Sequence, residues 1–187
     1  SDITLTDEEL QKIRNMQATA AIVMHYGDND WSDAQVAGLK TQFEIMGIEV
    51  ISVTEANFEA DKQAANIREV LTQKPDIIAA FPLAPAEVFK QAADQGVKVV
   101  FMDMLPSGTE LEHGTDYVSI VSADSYGNGI ASAHLMAKHL GGEGKIGIIF
   151  HQADFFVTYQ RYQAFKETIQ TDYPRIEIVA EQGMSGP

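Results

Sequence analysis

The sequence predicts an α/β protein built as two doubly wound, parallel-sheet lobes, the second of them incomplete. Three observations predict it. Short continuous apolar runs recur along the chain, as strands buried on both faces do. Between consecutive runs lies a single stretch with apolar residues at helical spacing, which implies right-handed parallel crossovers. That rhythm breaks over residues 105–124 and then resumes, which places a lobe boundary there and predicts lobes of 1–123 and 124–187.

Residues 1–16 are polar and acidic, with Leu10 and Ile13 as apolar anchors, and predict a short leading helix or a loose tail. The run 18–24 is the first strand. A polar loop, 25–30, follows, and Ser32 or Asp33 can cap the next helix. Val36, Leu39, Phe43 and Met46 recur at helical spacing, and Gly47 supplies the stop. Residues 48–53 make a second strand. Ile67, Val70 and Leu71 mark a helix that Pro75 ends. Residues 76–81 form a third strand, ended by Pro82. Pro85 suits the first position of a third helix, with Gly96 as its C-cap. Residues 97–102 are the fourth strand. After the irregular segment, 117–121 is strand-like and Asp124 or Ser125 caps a helix to about Leu140. Buried strand 146–150, helix 158–169 and strand 176–180 complete the chain.

Composition narrows the function. Thirteen Lys and Arg against 27 Asp and Glu give a net charge of −14 across 187 residues. Such a field repels nucleic-acid backbones and anionic membranes, so neither is expected as partner. With no cysteine there is no disulfide, thiolate zinc site or cysteine nucleophile. No apolar run approaches the roughly 18 residues of a membrane span. The start, Ser1-Asp2-Ile3, lacks the basic and apolar regions of a signal peptide, so an exported protein would be represented here by its processed form.

Motifs for catalysis fail on inspection. Gly127-Asn128-Gly129 lacks the third glycine of a dinucleotide fingerprint, and Gly144-Lys145 is followed by Ile146 rather than a phosphate-loop serine or threonine. The stretch from Asp28 begins like a calcium loop, but Asp33 stands where glycine is needed and Leu39 where a bidentate glutamate is needed. His134 and His139 are five apart, which splays them around a helix. No Gly-x-Ser-x-Gly elbow occurs. The chain is therefore expected to be no enzyme, with no catalytic residue, no metal and no cofactor.

Polar and aromatic residues gather where open α/β sheets bind ligands, after the carboxyl ends of strands. His25, Asp28, Asn29, Asp30 and Trp31 follow the first strand, Asp103 ends the fourth, and His151, Asp154, Phe155 and Phe156 follow Phe150. A sugar needs this mixture: carboxylates and amides for its hydroxyls, an aromatic face for its C–H face. The plainer reading is that loop aspartates cap helices and aromatics fill a core; the cluster as a whole favours a ligand. Met24-His25-Tyr26-Gly27-Asp28 and Phe150-His151-Gln152-Ala153-Asp154 echo each other, through two similar halves or through chance. If the halves face each other, His25 and His151 meet across a cleft, and protonation near pH 6 would change affinity.

The sequence resembles the sugar-type periplasmic binding proteins of ABC transporters, whose fold is shared with effector domains of LacI-type repressors. The residues carrying the resemblance run from about Ala18 to Ala180. They are Asn29-Asp30-Trp31, Gly38, Gly47-Ile48-Glu49-Val50, Lys74-Pro75-Asp76-Ile77-Ile78, the run from Gly96 to Asp103, Ser122-Ala123-Asp124, Gly141 to Ile146, and Arg161-Tyr162-Gln163-Ala164-Phe165. The resemblance implies a loop asparagine at Asn29, a ring-stacking aromatic at Trp31 and a hydroxyl-binding aspartate at Asp103. Arginines common in ribose-type members are replaced by Met104 and Tyr159.

The expected ligand-binding set is then His25, Asn29, Asp30, Trp31, Asp103, His151, Asp154, Phe155 and Tyr159. The resemblance implies an extracytoplasmic solute receptor that closes on a small neutral sugar or polyol and delivers it to an ABC transporter permease, without inserting into the membrane itself. A receptor feeding a sensor kinase reads the same. The alternative is the effector domain of a LacI-type regulator. Because members of the family are roughly twice single-domain size and complete their first lobe from the far end of the chain, this chain is expected to be part of a longer one.

Overall fold

The computed structural model describes residues 4–151 and 156–184. It divides into two compact units, Ser1–Val121 and Ser122–Pro187.

In unit 1 the elements are α1 (Asp7–Met16), β1 (Thr19–Met24), α2 (Asp30–Met46), β2 (Glu49–Glu55), α3 (Ala60–Thr72), β3 (Ile77–Ala80), α4 (Ala86–Asp94), β4 (Lys98–Met102) and β5 (Ser119–Val121). The five strands form one sheet in the order β2-β1-β3-β4-β5, every pair parallel. The order reverses at β1: the chain leaves β1 toward β2 and returns on its other side to β3. That reversal opens a crevice beyond the carboxyl ends of β1 and β3, where such sheets bind ligands.

The apolar run of β1 is apolar because it has two buried faces. Ala21 and Val23 pack with α3 and α4 through Ile67, Val70, Val88 and Phe89. Ala20, Ile22 and Met24 pack the other way, with Phe43, Val36 and Leu39 of α2. The same two-residue alternation sends Ile78, Ala80, Val99 and Phe101 to the first core and Ala79 and Met102 to the second. Phe89 and Phe101 meet edge-to-face at 5.0 Å with no exposure. Each such ring contributes about 2–3 kcal/mol by burial alone.

The leading segment is a helix, started by a capping box between Thr6 and Glu9. Arg14 of α1 donates to the Ile45 carbonyl at 2.8 Å, placing a cation on the last turn of α2. Gly47 ends α2 at φ 71°, in the left-handed region that favours glycine.

Several boundaries differ from the sequence reading. Asn29, not Ser32 or Asp33, caps α2, because its Oδ1 accepts from both Trp31 N and Ser32 N at 3.1 Å. Gln95 rather than Gly96 is the C-cap of α4. Of the strand foreseen at 117–121, only Ser119–Val121 forms β5, while Tyr117 makes an isolated bridge to His113. The segment before it is strapped to α4: Thr109 hydrogen-bonds Glu87, and Lys90 donates to buried Asp116 at 2.6 Å.

Unit 2 contains α5 (Ser125–Leu140), β6 (Gly144–His151), α6 (Phe156–Asp172) and β7 (Ile176–Met184). Asp124 caps α5 by accepting from Gly127 N at 2.7 Å. Gly129 lets α5 and α6 touch: a Cβ there would lie 2.4 Å from the Arg161 carbonyl oxygen. β6 and β7 form a parallel two-stranded sheet whose inner face, with Ile146, Ile176 and Ile178, packs on Ala133, Ala137, Phe165 and Ile169. The run 146–150 is not buried throughout, as its composition suggests. Ile149 is 74% exposed, because the helices of this unit cover one face of the sheet.

Candidate functional site

Four loops leave the carboxyl edge of the unit 1 sheet: 25–29 after β1, 56–59 after β2, 81–85 after β3 and 103–118 after β4. They contain no lysine and no arginine. Their carboxylates include Asp28, Glu59 and Asp103. Backbone strain concentrates there as well. Asp28 (φ 59°), Asn57 (φ 51°), Phe58 (φ 61°) and Asp103 (φ 71°) all hold left-handed conformations, which cost non-glycine residues about 1–3 kcal/mol and cluster at functional sites. Phe58 is the least tolerant of them, being bulky.

The strain assembles an aromatic cluster. His25 is its hub, with ring centroids of Tyr26 at 4.4 Å, Phe81 at 5.2 Å, Phe58 at 5.3 Å and Trp31 at 5.9 Å. Tyr26 stacks on Phe58 at 4.3 Å and lies nearly parallel to Trp31 at 5.9 Å. Trp31 meets Phe81 edge-on at 5.0 Å. The Phe58 N–H donates to the His25 carbonyl at 2.8 Å, tying the β2 loop to the β1 loop. Trp31, in the first turn of α2, remains 40% exposed and offers a ring to solvent.

Electrostatics follow from burial. His25 is 5% exposed, and burial pushes its imidazole down to about 4. It is therefore neutral across the neutral pH range, which corrects the expectation that it titrates near pH 6. Burial, and then the nearby Asp103 carboxylate, raise the Tyr26 phenol, which keeps its proton and its capacity to donate. Asp103 follows β4 half-buried, its N–H donating to the Val121 carbonyl at 2.9 Å. An apolar face, a phenol donor and a carboxylate acceptor thus share one sheet edge.

The sequence-derived residues divide as follows. His25, Trp31 and Asp103 all lie at this edge, Trp31 and His25 in ring contact. Asn29 is at the same place and works mainly on the backbone: Oδ1 caps α2, and one Nδ2 N–H donates to the Gly27 carbonyl at 3.0 Å. Asp30 is exposed at the start of α2. In unit 2, His151 ends β6 half-buried and Tyr159 is 51% exposed on α6. A cleft of about 400 Å³ in that unit is lined by Asn128, His151, Thr158, Arg161 and Tyr162, with Tyr162 stacked on Phe150 at 4.0 Å. Asp154 and Phe155 lie outside the described residues.

Tyr26, Phe58 and Phe81 were not singled out by sequence. Phe81 reads as the end of a strand and Phe58 as an unpatterned loop residue. Only strand order 2-1-3 brings them together.

The fold is an open parallel α/β sheet with an aromatic and carboxylate edge at its switch point, the place where such sheets bind ligands. The chain belongs to the periplasmic binding protein domain family, whose model matches residues 20–186. Three solved structures show the likeness. AraP, an arabinose binding protein from Geobacillus stearothermophilus, superposes with a TM-score of 0.77 at 25% identity, covering 89% of this chain and 56% of its own. The arabinose ABC transporter component from Shewanella sp. ANA-3, bound to α- and β-L-arabinofuranose, gives 0.76 at 18% identity over 90% and 54%. A solute binding protein from Actinobacillus succinogenes 130z with bound D-allose gives 0.76 at 19% identity over 89% and 58%. The chain thus spans little more than half the length of these relatives. No curated protein sequence matches it significantly.

Proposed function

We propose that this chain carries the ligand-binding edge of an extracytoplasmic solute-binding protein whose ligand is a small neutral sugar or polyol, delivered to an ABC transporter permease. One observation carries the reading: the four loops at the carboxyl edge of the unit 1 sheet carry an aromatic cluster and Asp103 and contribute no lysine or arginine of their own, while Lys40, which shares a cavity with Tyr26 and Asp28, and Lys62, paired with Glu55, come from helices α2 and α3. A phosphate or carboxylate ligand needs an arginine fork or an uncluttered helix N-terminus. Here α2 begins with Asp30 directly after its cap. A neutral polyol needs what is present: the Trp31 face for its C–H surface, Asp103 to accept from hydroxyls, and the Tyr26 hydroxyl to donate. In a two-lobed receptor the ligand would favour the closed state by binding it better than the open one. The sugars bound by the three solved relatives support the same ligand class.

A thermal-shift screen of the purified protein tests this. Neutral pentoses and hexoses, L-arabinose and D-allose among them, are expected to raise the melting temperature, while phosphosugars and amino acids leave it unchanged. Stabilisation by phosphosugars or carboxylates alone would overturn the proposal.

A further inference from the structure

We infer that Gln63 is a positioning residue for the aromatic cluster, acting as an extra rung between β1 and β3 at the point where their backbones part. The strands pair from Ala20↔Ile77 to Val23↔Ala80, and the final backbone bond runs from Phe81 N to the Val23 carbonyl at 3.0 Å. Beyond it the β1 chain turns into the 25–29 loop and the β3 chain into 81–85. Polar backbone groups there need other partners, since a buried group without one is costly.

Gln63 supplies them. It stands on α3, is completely buried, and uses its whole amide. Nε2 donates to the Phe81 carbonyl at 2.8 Å and to the Met24 carbonyl at 3.3 Å. Oε1 accepts from Leu83 N at 2.6 Å and Ala84 N at 2.8 Å. Two donors and two acceptor sites are all that the side chain has. The four bonds clamp the residue before His25 to Phe81 and the turn after it. They therefore fix how far apart the two strand ends sit, and with that the contacts of Phe81 with His25 and Trp31. A helix residue that only filled the core, such as Ile67 one turn later, has no such reach.

The inference rests on the proposed ligand site only for its affinity arm, because the chain has a single tryptophan, Trp31, whose emission reports on the cluster without any ligand. Gln63→Met keeps length and removes all four bonds; Gln63→Glu keeps the acceptor half. Ile67→Ala serves as a control, destabilising the same helix without touching the strand ends. With folding verified by far-ultraviolet circular dichroism, Gln63→Met is expected to shift the Trp31 emission maximum and weaken L-arabinose binding about tenfold or more, as a site that must be ordered anew on binding does. Gln63→Glu is expected to fall between wild type and Gln63→Met, and it decides alone if Gln63→Met does not fold. Ile67→Ala is expected to lower the melting temperature with wild-type emission and affinity. Wild-type emission in the folded Gln63 variants, or an equal shift in Ile67→Ala, would reduce Gln63 to core packing and overturn the inference. If no sugar binds the wild-type protein, the proposed ligand fails, while the emission still decides the role of Gln63.

Discussion

Unit 1 and unit 2 are written in the same alternation of strand and helix, but their central strands live in different surroundings. Every residue of β1 from Ala20 to Met24 is at most 1% exposed, because α2 covers one face and α3 and α4 the other. β6 has a comparable apolar run, yet Ile149 is 74% exposed while Ile146 is buried. An apolar run therefore shows that a strand is suited to two-sided burial. Whether both sides are covered depends on which helices the topology brings to each face.

The contrast is most sharply broken or upheld by large-to-small substitution. Phe101→Ala empties the middle of the unit 1 core and is expected to cost about 3–5 kcal/mol. Ile149→Ala is expected to change stability by about 0.5 kcal/mol or less. Chemical denaturation of both variants measures the difference, and similar losses would mean that β6 is packed on both faces.

Acid separates unit 1 by a different route. Folding holds the His25 imidazole at about 4, below the ordinary value of 6.5, so the unfolded chain binds the proton more readily. The neutral form's advantage is fully present above pH 6.5, declines as pH falls from 6.5 toward 4, and levels off below. Its full size is about 3 kcal/mol. His25→Phe is expected to flatten that slope in stability measured between pH 7 and pH 4; an unchanged slope would place the acid sensitivity elsewhere.

In unit 2 the critical contact is between helices. Gly129→Ala puts a methyl group against the Arg161 carbonyl and the Ala164 side chain, and is expected to cost about 1–3 kcal/mol as α5 and α6 move apart. Hydrogen exchange should quicken in α5 and α6 and stay slow in β1 and β3. Loss of protection in β1 would show that the two units unfold together. A smaller loss is expected at Asn29. Replacing the cap by alanine is expected to lower stability by about 1 kcal/mol, with Asn29→Asp close to wild type. A loss of sugar affinity in Asn29→Asp at unchanged melting temperature would place Asn29 in the ligand site.

What the sequence disclosed follows from what is local. The runs at β1 and β4, the glycine after α2, the Asp124 cap and the lone Trp31 are signals within a few residues, and they point to the fold and to part of the candidate site. The cap of α2 was misplaced because Asn, Ser and Asp are all good N-caps and stand within five residues of each other. Tyr26, Phe58 and Phe81 went unnoticed for a deeper reason. They come from loops after three different strands, and their meeting depends on strand order and on positive backbone angles at Asn57 and Phe58 that no apolar period encodes.

The carboxyl edge of the unit 1 sheet is the proposed place where a neutral sugar is held. Calorimetric titration of L-arabinose and D-allose into wild-type, Trp31→Ala and Asp103→Ala protein tests this most directly. Wild-type protein should bind at least one of the two, and each substitution should weaken that binding by about 1–3 kcal/mol with the melting temperature of Trp31→Ala nearly unchanged. Sugar bound with undiminished affinity by both variants would contradict it.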